Sequence, residues 1–276
     1  MKNWLKGETV VLSGASGGIG KQLCKRLINA YGANVIGIGR DESKMLALQA
    51  ELGENASAFS YKIFDVSEEG SWLTFVAELT EKGVSPVLLV NNAGAFPTFQ
   101  KALDTPTQTV ERILRVNFLS AVYACSAFAN VLKKGGGIVN VCSSSALCSV
   151  VGTAAYSASK SAMKGYTEAL QMEKKKGRYV GIVYPGTTAT ELFRNDKNTE
   201  NSALQKIAMK PEKMAKKLAR VIYKKRKRAV LGWDAKLMNL TAKIAPVRGL
   251  ALIAWVMKKS KSKVFSNVFN ETEQGE

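Results

Sequence analysis

The residues best suited to proton transfer are Tyr156 and Lys160, which stand four positions apart. On a helix this spacing places a phenol and an ammonium group on one face. A phenol has a reference pKa of about 10, and a neighbouring positive charge favours its ionised form. The pair is therefore a candidate general acid and base at a pH closer to neutrality.

The same spacing occurs a second time, at Tyr223 and Lys227, within a basic run that is typical of a solvated surface. Context distinguishes the two copies. Ser143 lies thirteen positions before Tyr156 and directly after a predicted strand, where its hydroxyl would face the same cleft, whereas Lys210 stands at that offset from Tyr223. The first copy is therefore the candidate site.

Composition excludes several other chemistries. The chain has 276 residues, of which 46% are hydrophobic, and it contains no histidine. Ser-His-Asp and Cys-His catalysis and histidine-ligated zinc are therefore excluded. The four cysteines form no C-x-x-C pair, so we expect reduced, buried thiols and no metal site.

The order of elements that must position these residues is an alternation of strands and helices, which is typical of parallel βαβ units with helices on both faces of the sheet. The predicted strands are residues 9–13, 34–39, 56–64, 87–90, 137–142, 179–184 and 229–232. The predicted helices are residues 18–30, 43–52, 68–82, 107–132, 156–175 and 211–225, and residues 187–210 are predicted to be irregular. We predict an α/β fold with a doubly wound, Rossmann-type sheet in one domain, residues 1–232, followed by an apolar and basic helical extension and tail, residues 233–276.

A glycine-rich turn, Ser13-Gly14-Ala15-Ser16-Gly17-Gly18-Ile19-Gly20, lies between the first predicted strand and the first predicted helix. Glycines let the backbone approach a pyrophosphate, which is attracted by free N–H groups and by the positive end of the helix dipole. The spacing, G-x-x-x-G-x-G, differs from the usual G-x-G-x-x-G. Its position predicts a dinucleotide site, with a tight strand–helix turn as the alternative.

The end of the second predicted strand, Ile38-Gly39-Arg40, indicates which dinucleotide binds. The planar donor fork of arginine suits a 2′-phosphate, although Arg40 could equally be a solvated surface residue. An acidic residue such as Asp41 would suit the ribose hydroxyl of NAD. We expect NADP(H), with NAD(H) as the alternative. Asp65, after the third strand, is a candidate for the adenine amine or for a helix cap.

Taken in order, these elements resemble the single-domain branch of the short-chain dehydrogenase/reductase family, over about Lys6 to Gly232. The resemblance rests on Gly14, Gly18, Gly20, Asp65, Asn91-Asn92-Ala93-Gly94, Asn117, Ser143, Tyr156, Lys160, Pro185-Gly186 and Thr190. It implies hydride transfer between a nicotinamide and a ketone or secondary alcohol.

The resemblance also implies catalytic roles at four positions. Tyr156 would protonate the carbonyl oxygen, and Ser143 would donate a hydrogen bond to it. Lys160 would bind the nicotinamide ribose and lower the pKa of Tyr156. Asn117 would hold a water molecule that continues a proton relay to solvent.

A larger set of cofactor-binding residues follows from the same resemblance: Gly14, Ser16, Gly18, Ile19, Gly20, Arg40, Asp65, Val66, Asn91, Ala93, Gly94, Tyr156, Lys160, Pro185, Gly186, Thr188 and Thr190. Three positions depart from the family pattern. Ser13 replaces the more usual threonine and keeps its hydroxyl. Gly17 lacks the basic residue of some NADP-preferring members, so phosphate recognition would depend mainly on Arg40. Thr188 replaces an apolar residue.

The chain end from residue 233 to residue 263 is apolar and basic together, with Pro246 and Arg248 dividing it. Three interpretations remain open: a helix that completes the core or a dimer contact, a lid over a hydrophobic substrate, and an interfacial helix with a polybasic anchor for anionic lipid. Specific nucleic-acid binding is not expected, since the +18 net charge is accompanied by no recognition motif.

We therefore expect an oxidoreductase acting on a hydrophobic carbonyl or alcohol, such as a 3-oxoacyl lipid, a sphingoid ketone or a steroid. The alternative is a non-catalytic nucleotide-sensing or membrane-interaction protein on the same fold. We also expect a homodimer or homotetramer in the cytoplasm, with peripheral contact to an anionic membrane as an option. No signal-peptide core and no run of about 18 apolar residues is present.

Overall fold

The computed structural model describes residues 3–190, 208–260 and 262–269. Its strands are β1 (Thr9–Ser13), β2 (Asn34–Gly39), β3 (Phe59–Ile63), β4 (Leu88–Asn91), β5 (Gly137–Val141), β6 (Tyr179–Pro185) and β7 (Arg228–Leu231). Within these residues they form one parallel sheet in the order β3-β2-β1-β4-β5-β6-β7. The order in which successive strands are added changes direction at the neighbouring strands β1 and β4: β2 and β3 lie beyond β1, and β5, β6 and β7 lie beyond β4. A crevice at such a switch point binds ligands in open α/β sheets.

Helices cover both faces of the sheet. They are α1 (Gly18–Tyr31), α2 (Glu42–Glu51), α3 (Glu69–Glu81), α4 (Thr107–Leu114), α5 (Ser120–Phe128), α6 (Ala154–Glu173), α7 (Pro211–Tyr223), α8 (Trp233–Ile244), α9 (Pro246–Lys259) and the short α10 (Ser266–Phe269). One turn of π-helix, Arg115–Leu119, joins α4 to α5.

The core lies on both sides of the sheet because successive strand residues point to opposite faces. In β1, Val10 and Leu12 pack into the cluster that includes residues of α1, α2 and α7. Val11 points the other way, into the cluster built with Trp72 and Phe128 of α3 and α5. Strands buried on both faces are continuously apolar, and the predicted α/β doubly wound fold is confirmed.

Two predicted elements differ from the structure by three residues or more at one end, and the others differ by two or fewer. The helix expected over residues 107–132 is interrupted by the π-helical turn and ends at Phe128. The strand expected over residues 56–64 begins only at Phe59, and Gly53–Ala58 is a 3₁₀ helix. Phe59 pairs with Val35 near the start of β2, so earlier residues have almost no neighbouring strand to bond.

Of the two residues predicted to divide the C-terminal segment, Pro246 begins α9, whereas Arg248 lies inside that helix. Most of the segment predicted to be irregular, residues 191–207, lies outside the described residues, as do Lys261 and residues 270–276. Within the described ranges, the helices are too short or too polar to cross a membrane.

Candidate active site

The turn after β1 is closed against the segment after β4. Gly14 has φ of +65°, and a Cβ atom there would lie 2.9 Å from the Cα of Ala93. A side chain at Gly20 would overlap the carbonyl oxygen of Gly14. Glycine is therefore required at both positions for this close approach of backbone to backbone.

Ser13 and Asn92 hold this turn in place. The hydroxyl of Ser13 accepts hydrogen bonds from the N–H groups of Asn92 and Ala93, both at 3.0 Å. The Asn92 amide in turn donates to the carbonyls of Ser13 (3.1 Å) and Gly14 (3.3 Å). No local pattern predicts a separate role for Asn92, and its one signal is its place in the Asn91-Asn92-Ala93-Gly94 tetrapeptide after β4.

The geometry of the turn fits a pyrophosphate. Helix α1 begins at Gly18, and in the described part of the chain no side chain caps it and no acidic residue stands in its first turn. Its first N–H groups and its positive dipole end are therefore available to an anion. A Cβ atom at Gly18 would lie 2.5 Å from the Thr190 side chain, so Thr190 borders the same turn.

A fully buried amide organises the segment after β4. Asn117 lies in the π-helical turn, a feature frequent at functional sites. Its Oδ1 accepts from the N–H of Ala95 at 2.7 Å, and its Nδ2 donates to the carbonyl of Ala95 at 2.9 Å and to the hydroxyl of Ser159 at 3.0 Å. Asn117 thus ties the β4 segment to α6, which carries Tyr156 and Lys160.

Lys160 lies beside Gly94. A Cβ atom on Gly94 would lie 3.5 Å from the ammonium nitrogen and 3.3 Å from Oδ1 of Asn117. The ammonium group is buried and donates to the carbonyl of Val141 at 3.3 Å, at the end of β5. The structure therefore brings Gly94, Asn117 and Lys160 together at the carboxyl edge of the sheet.

Tyr156 is also buried, and its ring centroid lies 5.9 Å from the Lys160 ammonium nitrogen. Burial raises the pKa of Tyr156 to about 12, although a hydrogen bond with Ser143 partly opposes the shift. Burial also lowers the pKa of Lys160. The lowering of the phenol pKa by Lys160 that the sequence suggested is not what the structure shows, because loss of solvation dominates both groups.

Arg40 follows β2 directly. Its side chain is 74% exposed, and its Nη1 lies 3.5 Å from Oδ2 of Asp65. Asp65 Oδ1 accepts from the N–H and the hydroxyl of Ser67 at 2.9 and 2.7 Å. Asp65 therefore closes a turn before α3, whose N-cap is Glu68, and the helix-cap interpretation of Asp65 is wrong.

Asp41, the acidic residue that would suit the ribose hydroxyl of NAD, has a structural role. Its carboxylate accepts from the N–H of Lys44 at 3.1 Å and from the hydroxyl of Ser43 at 2.6 Å, as the N-cap of α2. Hydrogen bonds from Ser43 and Lys44 lower the pKa of Asp41. Ser16 lies close by, since a Cβ atom on Gly39 would be 3.3 Å from its hydroxyl.

Two of the predicted cofactor residues use their polar groups elsewhere. The Asn91 amide donates to Oδ1 of Asn140 at 2.8 Å and to the Cys125 sulfur at 3.4 Å, inside the core. The Val66 carbonyl accepts from the indole of Trp72 at 2.9 Å. The amide of Asn91 is therefore engaged in the core, and its side chain does not support the expected place of Asn91 among the cofactor-binding residues.

The loop after β6 is fixed by a residue that sequence reasoning missed. Asp234 is buried, and its Oδ2 accepts from the N–H of Thr187 at 2.5 Å. A side chain at Gly186 would overlap this carboxylate. Thr188 is buried and donates to the carbonyl of Gly186 at 3.0 Å. Asp234 thus connects α8 to the Pro185-Gly186 segment. No local sequence pattern predicts this contact, because Thr187 and Asp234 are far apart in the chain.

Aromatic rings extend outward from Tyr156. Phe96 contacts Tyr156 edge-on with centroids 5.1 Å apart, and Phe96 contacts Phe99 at 5.0 Å. Phe99 then meets Phe265 of the C-terminal segment at 5.0 Å. Val268 lies against Gly152, where a Cβ atom would come within 2.6 Å of it. The C-terminal segment therefore packs beside the candidate site.

Comparison with known proteins shows the family. A family model for short chain dehydrogenase matches residues 8–201. The 3-ketodihydrosphingosine reductase of Bos taurus is 30% identical over 261 residues, covering 89% of this chain and 78% of the relative. The 3beta-hydroxysteroid dehydrogenase 2 of Eggerthella lenta is 30% identical over 192 residues, covering 68% and 74%. The chain belongs to the short-chain dehydrogenase/reductase family of oxidoreductases.

Solved structures agree in fold. A variant of actinorhodin polyketide ketoreductase, determined with NADPH, has a TM-score of 0.74 at 24% identity and covers 84% of this chain and 98% of its own. The alcohol dehydrogenase of the archaeon Thermococcus sibiricus, complexed with 5-hydroxy-NADP, has a TM-score of 0.73 at 21% identity and covers 82% and 97%. The resemblance stated from the sequence is confirmed.

The raised pKa of Tyr156 predicts that its phenol stays protonated in the free protein at a pH where an ordinary tyrosine ionises. We expect the ultraviolet difference titration between wild type and Tyr156→Phe to show almost no tyrosinate at about pH 10, where an ordinary tyrosine is half ionised. The same difference measured in urea, where burial is lost, should show ordinary ionisation. Half ionisation at that pH in the folded protein would contradict the assignment of burial as the dominant cause.

Proposed function

We propose that this protein is an NADP(H)-dependent oxidoreductase that reduces a hydrophobic ketone to a secondary alcohol, or oxidises the alcohol in reverse. The observation that carries the proposal is the meeting of Tyr156, Ser143 and Lys160 with Gly94 at the carboxyl edge of the sheet. This edge is where ligands bind in open α/β sheets. The glycine turn and the uncapped start of α1 fit the pyrophosphate of the cofactor.

Each residue has a task that follows from its chemistry. When bound, reduced nicotinamide supplies the hydride. Tyr156, whose phenol is protonated at neutral pH, would donate the proton to the carbonyl oxygen. Ser143 donates a hydrogen bond that orients the same oxygen. Lys160 would bind the ribose hydroxyls, and Asn117 would hold a water molecule that continues a proton relay from Lys160 to solvent.

The preference for NADP(H) is supported by the surroundings of β2. Arg40 is exposed and has its guanidinium at the tip of the strand. Asp41, whose carboxylate would favour NAD, is engaged in capping α2. A planar guanidinium binds phosphate bidentately. Two of the similar structures were determined with NADPH or an NADP derivative, which supports the same choice.

A hydrophobic substrate is supported by the aromatic rings next to the phenol. Phe96 contacts Tyr156, and the buried rings of Phe99 and Phe265 continue the aromatic cluster behind Phe96. The similar proteins are named for a sphingoid ketone and a steroid. A 3-oxoacyl lipid, a sphingoid ketone or a steroid would each match apolar surroundings of this kind, because burial of apolar area is the main source of affinity for such ligands.

We also propose a homodimer or homotetramer, a cytoplasmic location and contact with an anionic membrane.

The second candidate function is a nucleotide-sensing protein that catalyses no reaction. The presence of all four predicted catalytic residues favours the enzyme, since nucleotide sensing requires neither Tyr156 nor Ser143.

Removal of the phenol tests the proposed chemistry. Tyr156→Phe should lower kcat for NADPH-dependent ketone reduction by about 10²- to 10⁴-fold, because the proton donor is lost while ring packing is kept. Tyr223→Phe is the matched control, since this second Tyr-x-x-x-Lys tyrosine packs on Tyr31 at a centroid distance of 5.1 Å. Steady-state NADPH oxidation with a panel of ketones is the measurement. Equal activity of wild type and Tyr156→Phe would refute the mechanism.

Removal of the guanidinium tests cofactor choice. Arg40→Ala should raise KM for NADPH by about 10- to 100-fold, the loss expected for a charge-assisted hydrogen bond. It should leave KM for NADH nearly unchanged. Arg26→Ala, which removes another exposed arginine, from α1, is the control. If Arg40→Ala weakens both cofactors equally, the 2′-phosphate is not bound by Arg40.

A further inference from the structure

Helix α8 turns an apolar stripe toward solvent. Trp233, Leu237, Leu240 and Ile244 follow one another at intervals of four, three and four residues, and they are 60%, 54%, 52% and 74% exposed. This spacing places all four on one helix face. The opposite face is buried through Asp234 and Ala235. A surface helix ordinarily buries its apolar stripe, so the exposed stripe requires a partner.

Helix α9 extends the same kind of surface. Val247, Leu252 and Trp255 are 78%, 60% and 57% exposed. The two helices pack closely where Gly249 crosses α8, because any side chain at Gly249 would overlap Thr241. We call the exposed apolar side chains of these two packed helices the α8–α9 face.

The charge on this pair of helices is positive. Lys236, Lys243, Arg248, Lys258 and Lys259 are exposed. Among the described residues of α8 and α9, the one acidic side chain is that of Asp234, which is buried in the fold. An apolar stripe flanked by lysine and arginine is complementary to a bilayer surface that carries anionic headgroups.

We propose that the α8–α9 face lies in the interface of an anionic bilayer and holds the protein on the membrane. The helices have 12 and 14 residues, fewer than the roughly 20 that span a bilayer, so they would lie in its plane. A second copy of this chain is a poorer occupant. In a two-fold contact the same patch faces itself, which would bring lysines and arginines against one another.

The position of the α8–α9 face is also relevant to where the substrate is found. This part of the inference depends on the proposed reductase function. Met257 of α9 packs against the cluster of Phe99 and Phe265. Phe99 contacts Phe96, and Phe96 contacts Tyr156. These side chains, among which Phe99 and Phe265 are buried, connect α9 with the ring that packs on Tyr156. A protein held on a bilayer by the α8–α9 face would therefore have its candidate site near the membrane surface, where lipid-like ketones are dissolved.

The test is flotation of the full-length protein with vesicles of phosphatidylcholine alone or mixed with phosphatidylglycerol. The apolar variant is Ile244→Gln with Leu252→Gln. Its control is Leu73→Gln with Met172→Gln, which are 56% and 77% exposed on α3 and α6. Each variant is also examined by light scattering for its oligomeric state.

The charge variant is Lys258→Gln with Lys259→Gln at the end of α9. Its control is Lys216→Gln with Lys217→Gln, an adjacent exposed pair on α7. NADPH-dependent reduction of a water-soluble ketone, measured without vesicles, is followed in parallel for all variants.

We expect wild type to bind the anionic vesicles, both face variants to bind about tenfold or more weakly, and both controls to bind like wild type. Wild type that does not float, or face variants that float like their controls, would overturn the proposal. A face variant that changes only the oligomeric state would assign the surface to a second copy and overturn it as well. Activity on the soluble ketone separates the two proposals: vesicle binding without activity refutes the reductase function alone, and activity without vesicle binding refutes the membrane surface alone.

Discussion

The candidate site depends on one buried amide, that of Asn117. Its oxygen and its nitrogen bond the N–H and the carbonyl of Ala95, and its second N–H reaches Ser159 on α6. Ser159 itself donates to the carbonyl of Tyr156 at 2.7 Å. Loss of this amide would leave several polar groups in a poorly solvated region without partners, at a cost of about 1–3 kcal/mol each. The amide thus holds the segment after β4 and the helix of the phenol in one arrangement.

The π-helical turn explains how Asn117 reaches these partners. A π turn adds one residue to the helical repeat and shifts the faces of the helix on either side of it. Asn117 can therefore point toward Ala95 while the residues of α5 that follow still pack against α3 and the sheet. The π-helical turn between α4 and α5 therefore helps to position Asn117 in the candidate site.

Burial has opposite consequences for the two titratable groups of the site. It raises the pKa of Tyr156 and lowers the pKa of Lys160, because loss of solvation disfavours the charged form of each group. In the proposed reaction the protonated phenol is the form that donates a proton to a carbonyl oxygen, and an apolar environment would strengthen its hydrogen bond to that oxygen. Phe96 and Phe99 continue the same apolar environment, which is the basis of the proposed preference for hydrophobic substrates.

Much of this arrangement could be predicted from the sequence. The bounds of β1 and β2 are those expected from their apolar runs and flanking turns. The π turn was missed because one added residue hardly changes the apolar pattern of a long helix. Asn91 and Asn92 are adjacent amides, and nothing local shows that one faces the core and the other the glycine turn. The contact of Asp234 with Thr187 joins distant parts of the chain and depends on tertiary packing.

We infer that the hydrogen bonds of Asn117 hold Tyr156 and Lys160 where both would meet the nicotinamide end of one bound dinucleotide. A crystal structure of the protein with NADP⁺ tests it most directly. We predict the pyrophosphate at the start of α1, the ammonium group of Lys160 on the nicotinamide ribose, and the hydroxyl of Tyr156 on the side of the crevice where a ketone would meet C4 of the ring. A dinucleotide bound elsewhere, or a Tyr156 hydroxyl directed away from C4, would contradict the account.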